Sequence, residues 1–153
     1  MQSATTGFGT ELVGYRQSME SADGPHQRKR RDFVSTSESI GAARDFVRDV
    51  LGEAEVDDAT SGDAVLAVSE LVTNAVVHGA GGPISVRIET TTDELVVLVR
   101  STGGPLPDPA TWTSPVGGGP TGRGLSIVRS LADDVTADVD GTVVTLSCTF
   151  RRS

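Results

Sequence analysis

The sequence has few aromatic residues, a single cysteine and a shortage of positive charge. Aromatic side chains make up 4% of the 153 residues, so a hydrophobic core has to be built from Val, Leu, Ile and Ala. The lone Cys148 excludes an internal disulfide, and no Cys/His cluster indicates a zinc site. The 13 basic and 21 acidic residues give a formal net charge of −8. This balance argues against direct nucleic-acid binding, because phosphate backbones recruit Lys and Arg.

Long hydrophobic runs are also missing. No apolar stretch approaches the ~18–20 residues needed to span a bilayer, and the N-terminus lacks the charged and apolar regions of a signal peptide. We therefore expect a cytoplasmic protein without a membrane segment. The length suits one domain, at the usual ~100–200 residues per domain, and 37% hydrophobic residues are enough for one core.

The chain divides into a tail and one folded domain. Residues 1–31 are rich in Ser, Thr, Gly and Gln without sustained periodicity, which predicts a disordered N-terminal tail. Residues 32–153 are predicted to form the domain. The tail ends in the basic run Arg28-Lys29-Arg30-Arg31, which could bind nucleic acid or an acidic partner. We interpret it instead as a solvated charge run before the fold begins.

Hydrophobic periodicity predicts an α/β two-layer sandwich in which helices cover one face of a mostly antiparallel sheet. The predicted helices span residues 37–51, 63–78 and 124–134. Ser37 and Ser61 are the expected N-caps of the first two. The predicted strands span residues 32–35, 84–89, 95–99, 134–138 and 142–150. Mixed pairing of strands, parallel as well as antiparallel, is expected where the third helix crosses over. Asp140-Gly141 is the expected turn of the last hairpin.

Three polar side chains, Glu70, Asn74 and His78, recur at four-residue spacing along the second predicted helix. They form one polar stripe on an otherwise apolar helix, because side chains four residues apart lie on the same face. The stripe could simply be the helix's solvent-facing edge. Asn, however, is a poor helix former, and a carboxylate beside an amide oxygen offers hard ligands suited to Mg²⁺ or to orienting a water.

The third predicted helix begins with Gly122-Arg123-Gly124-Leu125, which follows a long loop rich in Gly and Pro. Glycine lets the backbone approach a ligand closely, and a helix N-terminus presents free N–H groups and a positive dipole end to an anion. Loops longer than ~12–15 residues are usually functional or disordered. The turn is therefore a candidate phosphate site, with a plain helix entry turn as the alternative.

Together these motifs resemble the GHKL, or Bergerat-fold, ATPases. The stretch from Glu70 to His78 looks like the N box of that family, in particular that of the anti-sigma-factor serine kinases and their stand-alone bacterial relatives. Gly122 to Val128 is similar to the G2 box. The resemblance covers Phe33 to Phe150 in the same element order.

The resemblance implies an ATP site between the second helix, the third helix and the sheet. Asn74 would then bind the Mg²⁺ that bridges the phosphates. Glu70 would be the general base of a protein serine/threonine kinase. The turn from Gly122 to Leu125 would hold phosphates through its backbone amides, and the region from Gly117 to Pro120 would be the ATP lid.

One position departs from the family pattern. The G1 box normally places an Asp after the strand, in D-x-G-x-G, to accept the adenine amino group. Here that position is Ser101, Gly103 is retained, and the last Gly is replaced by Pro105. A hydrogen bond to a charged group is worth ~1.5–3 kcal/mol, so its loss is expected to weaken adenine binding roughly tenfold to a hundredfold. Ser101 and Gly103 remain candidate nucleotide contacts.

Two functions are therefore expected as alternatives. The first is a bacterial regulatory ATP-binding protein resembling an anti-sigma-factor kinase. It would sequester a sigma factor and phosphorylate a Ser of an anti-sigma antagonist. The second is a catalytically degenerate protein-binding module with weak or no ATP binding, which the missing Asp favours. The family also implies a homodimer.

Overall fold

The computed structural model of the chain describes residues 27–103 and 119–152, with side chains from residue 125 onward in the second range. Helices and strands follow one another in the order that the sequence predicts. The elements are β1 (Gln27–Phe33), α1 (Glu38–Glu53), α2 (Asp58–His78), β2 (Ile84–Thr90), β3 (Glu94–Thr102), α3 (Gly119–Leu131), β4 (Asp134–Asp140) and β5 (Val143–Arg151).

The five strands form one sheet in the order β1-β2-β3-β5-β4. Every pairing among them is antiparallel. The parallel pairing expected at the helical crossover was wrong, because the hairpin of β4 and β5 brings β5 back beside β3 and leaves β4 at the edge. Gly141 makes the turn of this hairpin with a φ of 63°, a conformation that favours glycine.

The three helices pack on one face of the sheet, and the hydrophobic core lies between the two layers. α2 is central to this packing, since it contacts α1, α3, β3 and β5. Large and fully buried core side chains come from both layers and include Leu51, Leu71, Ile84, Ile88, Leu95 and Leu125. Aliphatic residues therefore dominate the core, as the aromatic-poor composition predicts. The predicted α/β two-layer class is confirmed.

The first strand begins earlier than the sequence predicts. β1 starts at Gln27, so residues 27–31 belong to the sheet and not to the predicted tail 1–31. Residues 1–26 lie outside the described part of the chain. The side chains from Arg28 to Asp32 are exposed, because this edge strand is held through its backbone pairing with β2. The basic run is thus solvated, as interpreted, but it forms a strand.

The second helix also begins before its predicted start at residue 63. It begins at Asp58 because Asp57, and not Ser61, is its N-cap. The Asp57 carboxylate accepts hydrogen bonds from the Thr60 backbone N–H at 3.0 Å and from the Thr60 hydroxyl at 2.9 Å. Within the described residues, no helix combines the length and the apolar character needed to cross a membrane.

Candidate functional site

A cleft opens between the C-terminal half of α2 and the ends of β3 and β5. Its cavity volume is about 40 Å³, which is room for a few water molecules and less than the ~300–1,000 Å³ typical of small-molecule sites. Apolar side chains from all three elements form most of its wall. The polar side chains in the wall are Asn74, His78 and Ser101, and Gly79 and Gly103 also line it.

Asn74 is the buried polar group of this wall. Its side chain is 8% exposed, and its amide Nδ2 has no hydrogen-bond partner. A buried polar group without a partner costs ~1–3 kcal/mol, so this amide is a candidate ligand contact. A half-turn of the amide exchanges its nitrogen and oxygen. The same side chain can therefore present an oxygen to a hard cation such as Mg²⁺.

Two glycines bring the end of α2 against the end of β3. Gly79 and Gly103 pair in an isolated antiparallel bridge, and the Ala80 N–H donates to the Thr102 carbonyl at 2.8 Å. A Cβ on Gly103 would lie 3.1 Å from the Gly79 Cα, and one on Gly79 would lie 2.2 Å from the Ala75 carbonyl oxygen. Gly103 therefore has a packing function here. The sequence alone gives no signal for this contact.

Ser101 occupies the position at which the GHKL family, which the sequence resembles, has the Asp of its G1 box. It follows Val97 and Val99 at two-residue spacing, so its side chain lies on the face of β3 that is turned toward the helices. It is half-buried and lines the cleft. A hydroxyl both donates and accepts hydrogen bonds but carries no charge. It is therefore a weaker acceptor than a carboxylate at the same place.

Of the three polar side chains spaced along α2, Asn74 and His78 line the cleft and Glu70 does not. His78 lines the cleft from the exposed end of the helix. Glu70 is half-buried and is not among the residues that line the cleft. It precedes Asn74 by one turn, which is about 6 Å along the helix axis. The structure thus brings Asn74 and Ser101 to one cavity and leaves Glu70 beside it.

The turn from Gly122 to Leu125 lies inside α3 and not ahead of it, because α3 begins at Gly119 and not at the predicted Gly124. The N–H groups of Arg123 and Gly124 consequently lie beyond the free donors of the helix's first turn. Leu125 is 0% exposed and belongs to the hydrophobic core. Its side chain packs there, so any ligand contact by Leu125 has to come from its backbone.

A dedicated metal cage is not part of the described structure. Its described residues contain no group of three or more His, Cys, Asp or Glu side chains placed to hold a metal ion. Mg²⁺ at phosphate sites is usually held by one or two carboxylates together with waters and the phosphates. Asn74 offers an amide oxygen, which is a hard ligand of the same kind but carries no charge. Of the predicted lid, residues 117 and 118 lie outside the described residues, and Gly119 and Pro120 begin α3.

All of the residues that line this cleft lie within a range of the sequence that matches a known protein family. The family described as the histidine kinase-like ATPase domain matches residues 33–148, a range that includes α1, α2, β2, β3, α3 and β4. No curated protein matches this chain in sequence.

Solved structures share the fold at low sequence identity. The RsbU and RsbW domains of Rv1364c from Mycobacterium tuberculosis align with a TM-score of 0.65 at 21% identity, over 82% of this chain and 32% of that chain. The SiaB-SiaC complex from Pseudomonas aeruginosa aligns with a TM-score of 0.61 at 13% identity, over 95% of this chain and 100% of that chain. The histidine kinase AdeS of Acinetobacter baumannii gives 0.50 at 10% identity, over 92% and 72%. This chain therefore spans about a third of the first of these proteins.

Proposed function

The chain belongs to the histidine kinase-like ATPase domain family, and we propose on that premise that it is an ATP-binding regulatory protein of the anti-sigma-factor kinase type. The observation that carries the proposal is the buried amide of Asn74, which lines the cleft without a hydrogen-bond partner. The fold that the chain shares with the RsbW domain and with SiaB supports the regulatory assignment.

The proposed nucleotide site uses the two walls of the cleft. Asn74, on α2, would supply a protein oxygen to Mg²⁺, which neutralises phosphate charge when it is bound. Ser101, on β3, would hydrogen-bond the base in place of a carboxylate. The expected affinity for adenine nucleotides is then roughly tenfold to a hundredfold below that of a site with Asp at this position.

Titration of the full chain with ATP and Mg²⁺ tests the nucleotide site. Asn74→Ala is expected to weaken binding by about 10–100-fold, because it removes a contact to a charged group. Ser101→Asp is expected to tighten binding by a similar factor. The matched control is Val77→Ala, since Val77 is on the same helix and 62% exposed. Wild-type protein that shows no binding at several millimolar ATP would rule out the site.

The proposed kinase reaction transfers the terminal phosphoryl group of ATP to a Ser or Thr hydroxyl of a partner protein. The bond from the hydroxyl oxygen to phosphorus forms, the bond to ADP breaks, and Glu70 takes the hydroxyl proton. Glu70 suits this role because it is half-buried beside the cleft wall, one turn from Asn74, where a partner's hydroxyl can approach from outside.

Radiolabelled transfer to a candidate antagonist tests Glu70. Glu70→Gln keeps the size of the side chain and removes its basicity, and it is expected to lower the transfer rate by about 10²–10⁴-fold. Its affinity for ATP should stay within a factor of two or three of the wild-type value, because Glu70 is not in the wall of the cleft. Undiminished transfer by this variant would remove Glu70 from the reaction.

A second function, that of a protein-binding module that no longer binds ATP, is supported by two observations. One is the uncharged Ser101 at the base position, and the other is the helical backbone of Arg123 and Gly124. This alternative predicts that the ATP titration gives no signal while the protein still forms a stable complex with its partner. Asn74→Ala would then leave partner binding unchanged.

The proposed partners are a sigma factor and an anti-sigma antagonist protein. A second copy of this chain is a third proposed partner. We place this activity in the cytoplasm, where sigma factors act. The formal net charge of −8 suits association with the basic DNA-binding surface of a sigma factor. Co-elution of the purified proteins at low and high salt tests this, since an electrostatic complex weakens as salt is added.

A further inference from the structure

The central part of the sheet face opposite the helices is buried, although none of the described elements packs on it. We call it the outer face and define it by Glu89, Val96, Leu98 and Ser147, which the strand register places side by side. Glu89 is 0% exposed, Val96 1% and Leu98 6%. The core residues of the same strands lie on the other face, with the three helices.

The sequence of β3 also indicates a second covered face. In an antiparallel sheet with one face in water, apolar and polar side chains alternate along a strand, whereas a strand buried on both faces has a continuous apolar run. The run Leu95-Val96-Val97-Leu98-Val99 is of the second kind. Val96 and Leu98 are its outer-face members, so something apolar is expected to cover them.

The carboxylate of Glu89 indicates that the group covering the outer face also has to supply hydrogen-bond donors. Neither of its oxygens has a hydrogen-bond partner, and the Arg87 guanidinium is 3.8 Å away. A carboxylate buried without hydrogen bonds is strongly unfavourable. The covering group should therefore bring N–H or O–H donors to Glu89 along with its apolar side chains.

We propose that residues 1–26 of this chain lie across the outer face and cover it. They lead directly into Gln27, the first residue of the edge strand β1. Twenty-six extended residues reach about 86 Å at ~3.3 Å each, whereas five strands at ~4.8 Å spacing are about 20 Å wide. Phe8, Leu12 and Val13 supply apolar side chains for Val96 and Leu98.

The charges and donors of this segment also complement the outer face. Its acidic residues are Glu11, Glu20 and Asp23. The arginines on or beside the outer face are Arg28, Arg30, Arg87 and Arg100. The segment's Ser, Thr and Tyr hydroxyls and backbone N–H groups provide donors for Glu89. The other stretch outside the described residues, 104–118, is less suited because it leads into α3 on the helical face.

A photo-crosslinking experiment in the full chain tests the proposal. Cys148 is first replaced by Ala, and Ser147→Cys, opposite Leu98 on the outer face, is labelled with a benzophenone maleimide. Crosslinks are expected to map to residues 1–26 of the same molecule. Val139→Cys, which is 54% exposed and follows the core-facing Ala137 on β4, is the matched control and is expected to give none there.

Isotope mixing identifies the occupant. Crosslinking an equal mixture of ¹⁵N-labelled and unlabelled protein should give no hybrid pairs, because the cover belongs to the same chain. Hybrid pairs would assign the outer face to a second copy and overturn the proposal. Crosslinks from position 147 that avoid residues 1–26 would overturn it as well.

Hydrogen exchange of the unmodified chain gives an independent measurement. Amides within residues 1–26 are expected to exchange at least about tenfold more slowly than in an unstructured peptide of the same sequence. The charge reversal Glu11→Arg, Glu20→Arg and Asp23→Arg should remove this protection and leave the exchange of α2 unchanged. Unprotected amides throughout residues 1–26 of the wild-type chain would contradict the proposal.

Discussion

The contact between Gly79 and Gly103 sets how closely helix α2 approaches the end of β3. Both residues have backbone in the space that a side chain would need, and at Gly79 that backbone is the Ala75 carbonyl, 2.2 Å from an added Cβ. A carbonyl inside a helix cannot move aside in the way that a flexible side chain can. Any larger residue at this position would therefore distort the last turn of α2, and its Cβ would also lie 3.0 Å from the Thr102 carbonyl oxygen of β3.

Gly79→Ala is accordingly expected to destabilise the fold by at least about 1–3 kcal/mol, the usual cost of overpacking. Gly62→Ala is the control, because Gly62 lies inside α2 with no atom within 4 Å of an added Cβ. It is expected to stabilise the protein by up to about 1 kcal/mol, the difference in helix propensity. Urea unfolding measures both, and equal shifts of the same sign would refute the packing argument.

At the scale of single residues, two of the predicted site residues share one cleft in the structure. Asn74 and Ser101 reach one cleft because a helix and a strand end, each recognisable in the sequence, meet there. The pairing of Gly79 with Gly103 was not predictable, since it joins residues 24 apart along the chain and leaves no local signal. Leu125 belongs to the core, and its helix begins at Gly119, five residues before the predicted start at Gly124. The nucleotide-binding functions of these residues remain predictions.

At the scale of elements, the Asp57 cap decides where α2 begins. Hydrogen bonds from the Thr60 backbone and hydroxyl lower the pKa of the Asp57 carboxyl from its usual 3.8. A lowered folded-state pKa contributes stability above the unfolded value, and that stability is lost as the pH falls through the folded value. The cap is therefore fully effective at neutral pH and fails in acid.

Asp57→Ala is expected to lower the melting temperature at pH 7, because it removes the acceptor for the Thr60 N–H. Asp58→Ala, in the first turn of the same helix, should have the smaller effect. The difference between wild type and Asp57→Ala should shrink as the pH falls from about 4 to about 2. Thermal melts across that range measure it, and a difference that does not depend on pH would exclude the charged cap.

Elements with clear hydrophobic patterns were predicted closely, and those without were not. β2, β3 and β5 follow from their apolar content. β1 was assigned mostly to a tail because its sequence, Gln-Arg-Lys-Arg-Arg-Asp-Phe, has no buried face to produce a pattern. The first turn of α2, Asp58 to Gly62, is likewise polar and small, so the apolar periodicity only begins at Ala64.

At the scale of the whole molecule, the class of fold follows from the sequence, but the strand order does not. Two-residue spacing and hairpin turns predict antiparallel neighbours for consecutive strands. The insertion of β5 between β3 and β4 is a long-range choice. It lets the wide apolar faces of β3 and β5 pair at the centre of the sheet and leaves β4, whose burial is lower, at the edge.

Arg152 joins the last strand to two distant parts of this assembly. Its guanidinium donates to the Thr91 carbonyl at 2.5 Å, and to the carbonyls of Ala54 at 3.1 Å and Glu55 at 3.3 Å. Hydrogen bonds to charged groups contribute ~1.5–3 kcal/mol, so Arg152→Ala is expected to lower the free energy of unfolding by about that amount. Arg151→Ala removes the same charge from an exposed neighbour and should change stability by no more than about 0.5 kcal/mol. Chemical denaturation of the two variants measures the contrast, and indistinguishable midpoints would show that the charge, and not the three carbonyl contacts, was responsible.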